Sequence, residues 1–105
     1  MPSETQGITR PIQEALEDAG YFCLRLNSGL IKSGSRYIRL CPAGTADLLL
    51  CVAKRLPIWI ETNTLKGRLH KEQLRDQGAF RERVVRLGHQ YIRATSLDDV
   101  LEALR

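Results

Sequence analysis

The stretch Gly44-Thr45-Ala46-Asp47-Leu48-Leu49-Leu50-Cys51-Val52-Ala53-Lys54-Arg55-Leu56-Pro57-Ile58-Trp59-Ile60-Glu61 decides the architecture. Its two apolar runs, Asp47 to Ala53 and Ile58 to Ile60, are short and bounded by turn residues, so they read as neighbouring strands. Lys54 to Pro57 forms a tight connection with Lys54-Arg55 at its tip. Each run carries an acid where one is disfavoured: Asp47 leads into Leu48-Leu49-Leu50, and Glu61 closes Ile58-Trp59-Ile60. A carboxylate in or at the end of an apolar strand costs several kcal/mol unless it is paired or binds a cation. If the strands pair, the two carboxylates converge at one end of the sheet. Counted from the tip, Asp47 lies about eight residues before it and Glu61 about five after, so that register requires a bulge or an offset.

Working outward, Ile8, Ile12, Leu16 and Ala19 recur every three or four residues, the buried stripe of an amphipathic helix ending at Gly20. Pro11 restricts its start: either the helix begins near Thr9 or an earlier turn is kinked there. Tyr21 to Leu26 reads as a strand, and Arg36 to Leu40 as another with one face exposed. A helix is predicted from about Lys71 to Leu87, with Gln73, Gln77, Phe80, Val84 and Leu87 on one stripe, stopped by Gly88. Gln90 to Ala94 is the last strand. Ser96, with Asp98 and Asp99, caps a terminal helix carrying Leu97, Val100, Leu101 and Leu104 on one side. The expected fold is α/β, one mixed sheet flanked by helices, in the order α-β-β-β-β-α-β-α.

At 105 residues the chain has room for one domain, residues 1–105. Its composition, 43% hydrophobic and 27% charged, is that of a folded rather than a disordered chain. The longest apolar run, Ala46 to Ala53, is interrupted by Asp47 and is far shorter than a membrane span. No basic segment precedes an apolar stretch at the start, so the expectation is a cytoplasmic, bacterial or phage-encoded protein. Cys23, Cys41 and Cys51 show neither paired nor zinc-type spacing and read as small packed hydrophobes. The net charge of +4 is unevenly spread: nine basic and three acidic residues between Lys32 and Arg75 leave that segment at +6. Such an excess favours a polyanion such as nucleic acid, or else serves solubility alone.

Two carboxylates, water and a phosphate oxygen would make an incomplete Mg²⁺ or Mn²⁺ shell, although each acid could instead pair with a nearby Arg at the sheet edge. The surrounding sequence favours the metal. Gly44-Thr45-Ala46-Asp47-Leu48, then Ile60-Glu61-Thr62-Asn63-Thr64-Leu65-Lys66-Gly67-Arg68-Leu69, then Gln73, resembles the virus-type replication-repair nuclease (VRR-NUC) domain of the PD-(D/E)xK superfamily. Arg25-x-Asn27-Ser28-Gly29 also looks like part of that pattern, and the resemblance runs from about Glu4 to Leu104. It implies a restriction-endonuclease-like core and Mg²⁺- or Mn²⁺-dependent cleavage of DNA.

Carried over residue by residue, the resemblance makes Asp47 and Glu61 metal ligands, with the Thr62 carbonyl a third donor. Gln73 would reach the metal site from the helix, or serve as a first-turn cap. A further acid is implied on the first helix. Glu4 continues the apolar stripe one turn earlier and is preferred to Glu14, which lies on the polar face. The family's lysine falls on Asn63. That departure leaves three readings: a substitution that inactivates a parent carrying Lys, a natural Asn with Lys66 or Lys71 reaching in, or a domain that binds without cutting. The first is preferred, because Asn differs from Lys by one base in the codon and the rest of the motif is present. Lys66, Arg68, His70 and Lys71 beside the acids, and Lys32, Arg36 and Arg39 on the preceding hairpin, would hold the phosphate backbone. His70 and His89 read as phosphate contacts or surface residues.

The leading expectation is a metal-dependent, structure-selective DNA endonuclease, resolving Holliday junctions or cutting flaps and nicks. Symmetric cutting by one small domain requires a homodimer, for which the strand Gln90 to Ala94 and the Leu97 to Leu104 helix could supply the contact. The alternative is a non-catalytic DNA- or junction-binding module.

Overall fold

A computed structural model describes residues 5–26, 30–63 and 71–105. A wide π-type turn at Thr5–Thr9 leads into helix α1 (Arg10–Asp18), whose second residue is Pro11. Both readings of Pro11 thus hold in part. The regular helix starts beside it, where its missing N–H costs nothing, and an irregular turn precedes it. Strand β1 (Phe22–Arg25), a two-stranded ribbon of β2 (Leu30–Ser33) and β3 (Arg36–Arg39), strands β4 (Leu48–Cys51) and β5 (Ile58–Thr62), helix α2 (Lys71–Arg86), strand β6 (Gln90–Ala94) and helix α3 (Leu97–Ala103) follow.

The sheet has the order β1-β4-β5-β6. β1, β4 and β5 are antiparallel, and β6 is parallel to β5 through the α2 crossover. The expected mixed sheet flanked by helices is therefore present. The addition is β2, a strand the sequence reading passed over. It pairs with β3 in a separate ribbon, turning at Gly34-Ser35, instead of joining the main sheet.

The two sheet faces are unequal. Leu48, Leu50, Ile58 and Ile60 are fully buried with Ile12, Leu16, Ala94 and Val100, so α1 and α3 cover one face with the apolar core. α2 covers the other face through Phe80, which meets Trp59 edge-on at 5.2 Å, and through buried Val84. Two stripe assignments move: Ala19 is an exposed helix cap and Leu87 is exposed. On α3, Leu97, Val100 and Leu104 pack into the chain's own core, which leaves Leu101 as the partly exposed apolar residue of that stripe. Ser96 makes no side-chain cap. Instead, Asp99 reaches back to accept from the Thr95 backbone N–H at 2.8 Å and its hydroxyl at 3.1 Å, which holds its carboxyl below the ordinary range. Among the described residues no helix is long and apolar enough to cross a membrane.

Cys23 belongs to the core, as expected of a small hydrophobe. Burial first, then Glu17 and Cys51 nearby, push its thiol up to about 11 from an ordinary 9.0. At pH 8 its thiolate fraction is therefore about 100-fold below that of an ordinary thiol. Mass-resolved alkylation of the folded chain should label Cys23 about two orders of magnitude more slowly than an exposed thiol.

Candidate active site

The β4–β5 ladder pairs Leu48 with Ile60, Leu49 with Trp59 and Leu50 with Ile58. One further step sets Asp47 opposite Glu61. No bulge or offset is needed, which corrects the count made from the turn. The ladder is symmetric about Lys54, whose φ is +63°, and Asp47 and Glu61 each lie seven residues from it rather than eight and five. Residues opposite one another in a ladder project to the same face, so both acids lie on the α2 side with Leu49 and Trp59.

Asp47 is held by its neighbour strand. Its Oδ2 accepts from the Thr62 backbone N–H at 2.8 Å and from the Thr62 hydroxyl at 2.9 Å. Because that hydroxyl donates to a carboxylate, it must accept from Thr9, whose hydroxyl is its other partner. The relay Thr9 to Thr62 to Asp47 is buried at its first two members and fixes one carboxylate oxygen, leaving Oδ1 for a ligand. Thr62 was expected at this site through its carbonyl; the contacts observed are through its N–H and hydroxyl.

Glu61 is 4% exposed, and its Oε1 accepts from the Gln77 side-chain amide at 3.1 Å. Gln77 is delivered by a glycine. At Gly44, with φ +87°, a Cβ would lie 2.2 Å from the Asp76 carbonyl oxygen and 2.8 Å from the Gln77 nitrogen. Only a residue without a side chain lets α2 rest directly on the 42–45 turn, which Thr45 braces by donating to the Pro42 carbonyl at 2.6 Å.

Gln73 lies in the exposed first turn of α2, and Gln77, one turn later on the same stripe, donates to Glu61. Asn63 follows Glu61 by two residues along the extended chain and shares its face. Its backbone N–H donates to the Ala94 carbonyl at 3.0 Å. Among the described residues, the buried Asn63 Oδ1 and Gln77 Oε1 have no hydrogen-bond partner.

Glu14 is on the surface, paired with Arg10 at 2.9 Å. Glu4, Lys66, Arg68 and His70 lie outside the described residues. Lys32, Arg36 and Arg39 are exposed on the β2–β3 ribbon, and Lys71 is exposed at the start of α2. His89 is structural: its Nδ1 accepts from the Trp59 indole at 2.8 Å and its ring stacks on that side chain. The sequence reading missed Gln77 as a Glu61 partner, and Tyr91 and Arg93 as neighbours of the acids. The signal for the last two is the parallel β5–β6 register, which a sequence alone does not display.

A solved structure described as a VRR_NUC domain aligns with 98% of this chain and 96% of its own, with a TM-score of 0.59 and 18% identity. The chain has the VRR_NUC fold. No family model matches the sequence, and no curated protein matches it. On this VRR_NUC fold, Asp47 and Glu61 stand side by side on the α2 face of the sheet.

Proposed function

We propose that this chain is a nuclease domain of the VRR-NUC family, a Mg²⁺- or Mn²⁺-dependent, structure-selective DNA endonuclease. Its preferred substrate is a four-way junction, followed by flaps and nicks. The observation that carries the reading is the placement of Asp47 opposite Glu61 on one sheet face.

The donor chemistry fits a hard divalent cation. The donors on hand are all oxygens, which suit Mg²⁺ or Mn²⁺, and among the described residues no three His, Cys, Asp or Glu side chains are grouped to hold an ion. Two carboxylates are accompanied by two buried amide oxygens, Asn63 Oδ1 and Gln77 Oε1, that lack partners among the described residues. Asp47 and Glu61 would hold the ion, with the Thr62 carbonyl as a third donor. When bound, the ion supplies Lewis acidity: charge to set against a phosphodiester under attack and a lowered pKa for water. The chain's own work is positioning. Thr62 locks one oxygen of Asp47, and Gln77 orients Glu61. Asn63 offers a hydrogen bond to the attacking water but no positive charge. Lys32, Arg36, Arg39 and Lys71, with Lys66, Arg68 and His70, bind the backbone in a salt-dependent manner. Cutting two strands symmetrically calls for a homodimer.

Asn63 favours a second reading, a junction-binding module that does not cut. Asp47→Asn separates the two readings from a fold without a site. Its amide oxygen can still accept from Thr62, so the fold survives, but the charge is gone. Calorimetry should show Mn²⁺ binding by the parent chain and a loss of at least tenfold in the variant. Slow Mn²⁺-dependent cutting of a labelled junction should disappear with it. Junction binding without cutting by the parent or by Asn63→Lys supports the second reading. Equal Mn²⁺ binding by parent and Asp47→Asn sinks the metal site.

A further inference from the structure

Arg93 stands in register with Glu61 on the neighbouring strand, and Tyr91 with Trp59, so all four share the α2 side of the sheet. From α2, Arg81 lies over the Tyr91 ring, its guanidinium carbon 6.0 Å from the ring centre. Arg81, Tyr91 and Arg93 line a pocket of about 220 Å³. That is smaller than the roughly 300–1,000 Å³ of sites for drug-sized ligands, and suits a group the size of a phosphate.

Among the described residues, each side chain lining this pocket offers a hydrogen-bond donor. Among the described residues, neither guanidinium is within ion-pair distance of a carboxylate. The Tyr91 hydroxyl is buried and has no hydrogen-bond partner among the described residues. Burial, followed by Glu61, pushes its pKa up to about 12, so it keeps its proton. Two donor-only guanidinium groups and a hydroxyl proton suit an acceptor-only anion. A charge argument points the same way. Asp47 and Glu61 repel a phosphodiester, and Asn63 brings no compensating charge, whereas Arg93 stands on the strand next to Glu61.

We propose that Arg81, Tyr91 and Arg93 form a phosphodiester-binding subsite that holds a DNA backbone phosphate beside the Asp47–Glu61 pair. The assignment of DNA rests on the nuclease reading above; the anion chemistry of the pocket does not. None of these three residues carries the cutting step; they position the strand.

The test uses the full chain and reads binding rather than cleavage. Affinity for a labelled four-way junction is followed by fluorescence anisotropy in Ca²⁺ over a salt series. Arg81→Gln with Arg93→Gln should weaken binding about tenfold and flatten the slope of log K against log salt by about 1. Arg93→Lys, which keeps the charge, should keep the slope. In a second arm, inorganic phosphate is titrated while the Arg81 and Arg93 Nε–H and Tyr91 ring signals are followed by NMR. Saturable shifts at those signals are expected, and they should vanish in the double variant. Parent-like affinity and salt slope in the double variant, or no saturable shift with phosphate, overturns the subsite. Phosphate shifts without junction binding by the parent would keep the subsite and remove the DNA reading. Junction binding and cutting that ignore both substitutions would keep the nuclease and remove the subsite.

Discussion

Asn63→Lys is expected to raise Mn²⁺-dependent cleavage of a four-way junction by about 10²–10³-fold over the parent chain, the range for a group that stabilises developing transition-state charge. Position 63 follows Glu61 by two residues, and its side chain shares the α2 face with both acids. An ammonium there would orient the attacking water and offset the charge that builds on the phosphate. The carboxamide now present can do only the first. Junction affinity should change far less than rate, because backbone contacts elsewhere supply most of the binding. Single-turnover rates and anisotropy on the two proteins check this directly. Equal cleavage rates would remove Asn63 as the cause of slow cutting.

The second large effect concerns stability. Gly44→Ala should lower unfolding free energy by roughly 2–5 kcal/mol, combining an overpacking cost of about 1–3 with a left-handed backbone cost of about 1–2. The neighbours of the added methyl are the Asp76 carbonyl and the Gln77 nitrogen, main-chain atoms that cannot rotate aside. α2 would have to lift, taking Gln77 from Glu61, so activity should fall further than the stability loss alone explains. Gly34→Ala is the comparison. It shares a positive φ, +64°, but a Cβ there meets nothing within 4 Å. It should cost only the backbone share, about 1–2 kcal/mol. Urea denaturation of the three proteins separates crowding from conformation. A Gly44→Ala loss no larger than that of Gly34→Ala would show that α2 does not depend on the close approach.

Much of this was legible in the chain. Apolar spacing located α1, α2 and α3 within a few residues, and Gly20 and Gly88 marked two ends. The acid pair was visible because Asp47 and Glu61 interrupt apolar strands, a physical anomaly needing no relative for comparison. What failed were quantities set by three-dimensional context. The register was missed because the expected tip spread over Lys54-Arg55 and set the acids at unequal distances from it, whereas the ladder centres on Lys54 alone. β2 was missed because a four-residue strand offers barely one period of alternation. Gln73 and Gln77 lie on the same stripe. That Gln77 meets Glu61 follows from where α2 is seated, which Gly44 fixes through contact with a segment more than thirty residues away. Tyr91 and Arg93 join the site through a parallel pairing across a helix, which no local pattern encodes.

Along β4 and β5, the parity of the residue number divides labour. Even positions 48, 50, 58 and 60 are fully buried and carry the stability of the domain. On the function proposed above, the odd positions 47, 61 and 63 would carry its chemistry. On that reading, a single base change at an odd codon would silence catalysis without loosening the fold, and the reverse change would restore it. Such a chain would drift between cutting and merely holding its target while remaining folded. The same division marks the odd-numbered sites as the place to begin redesigning its activity.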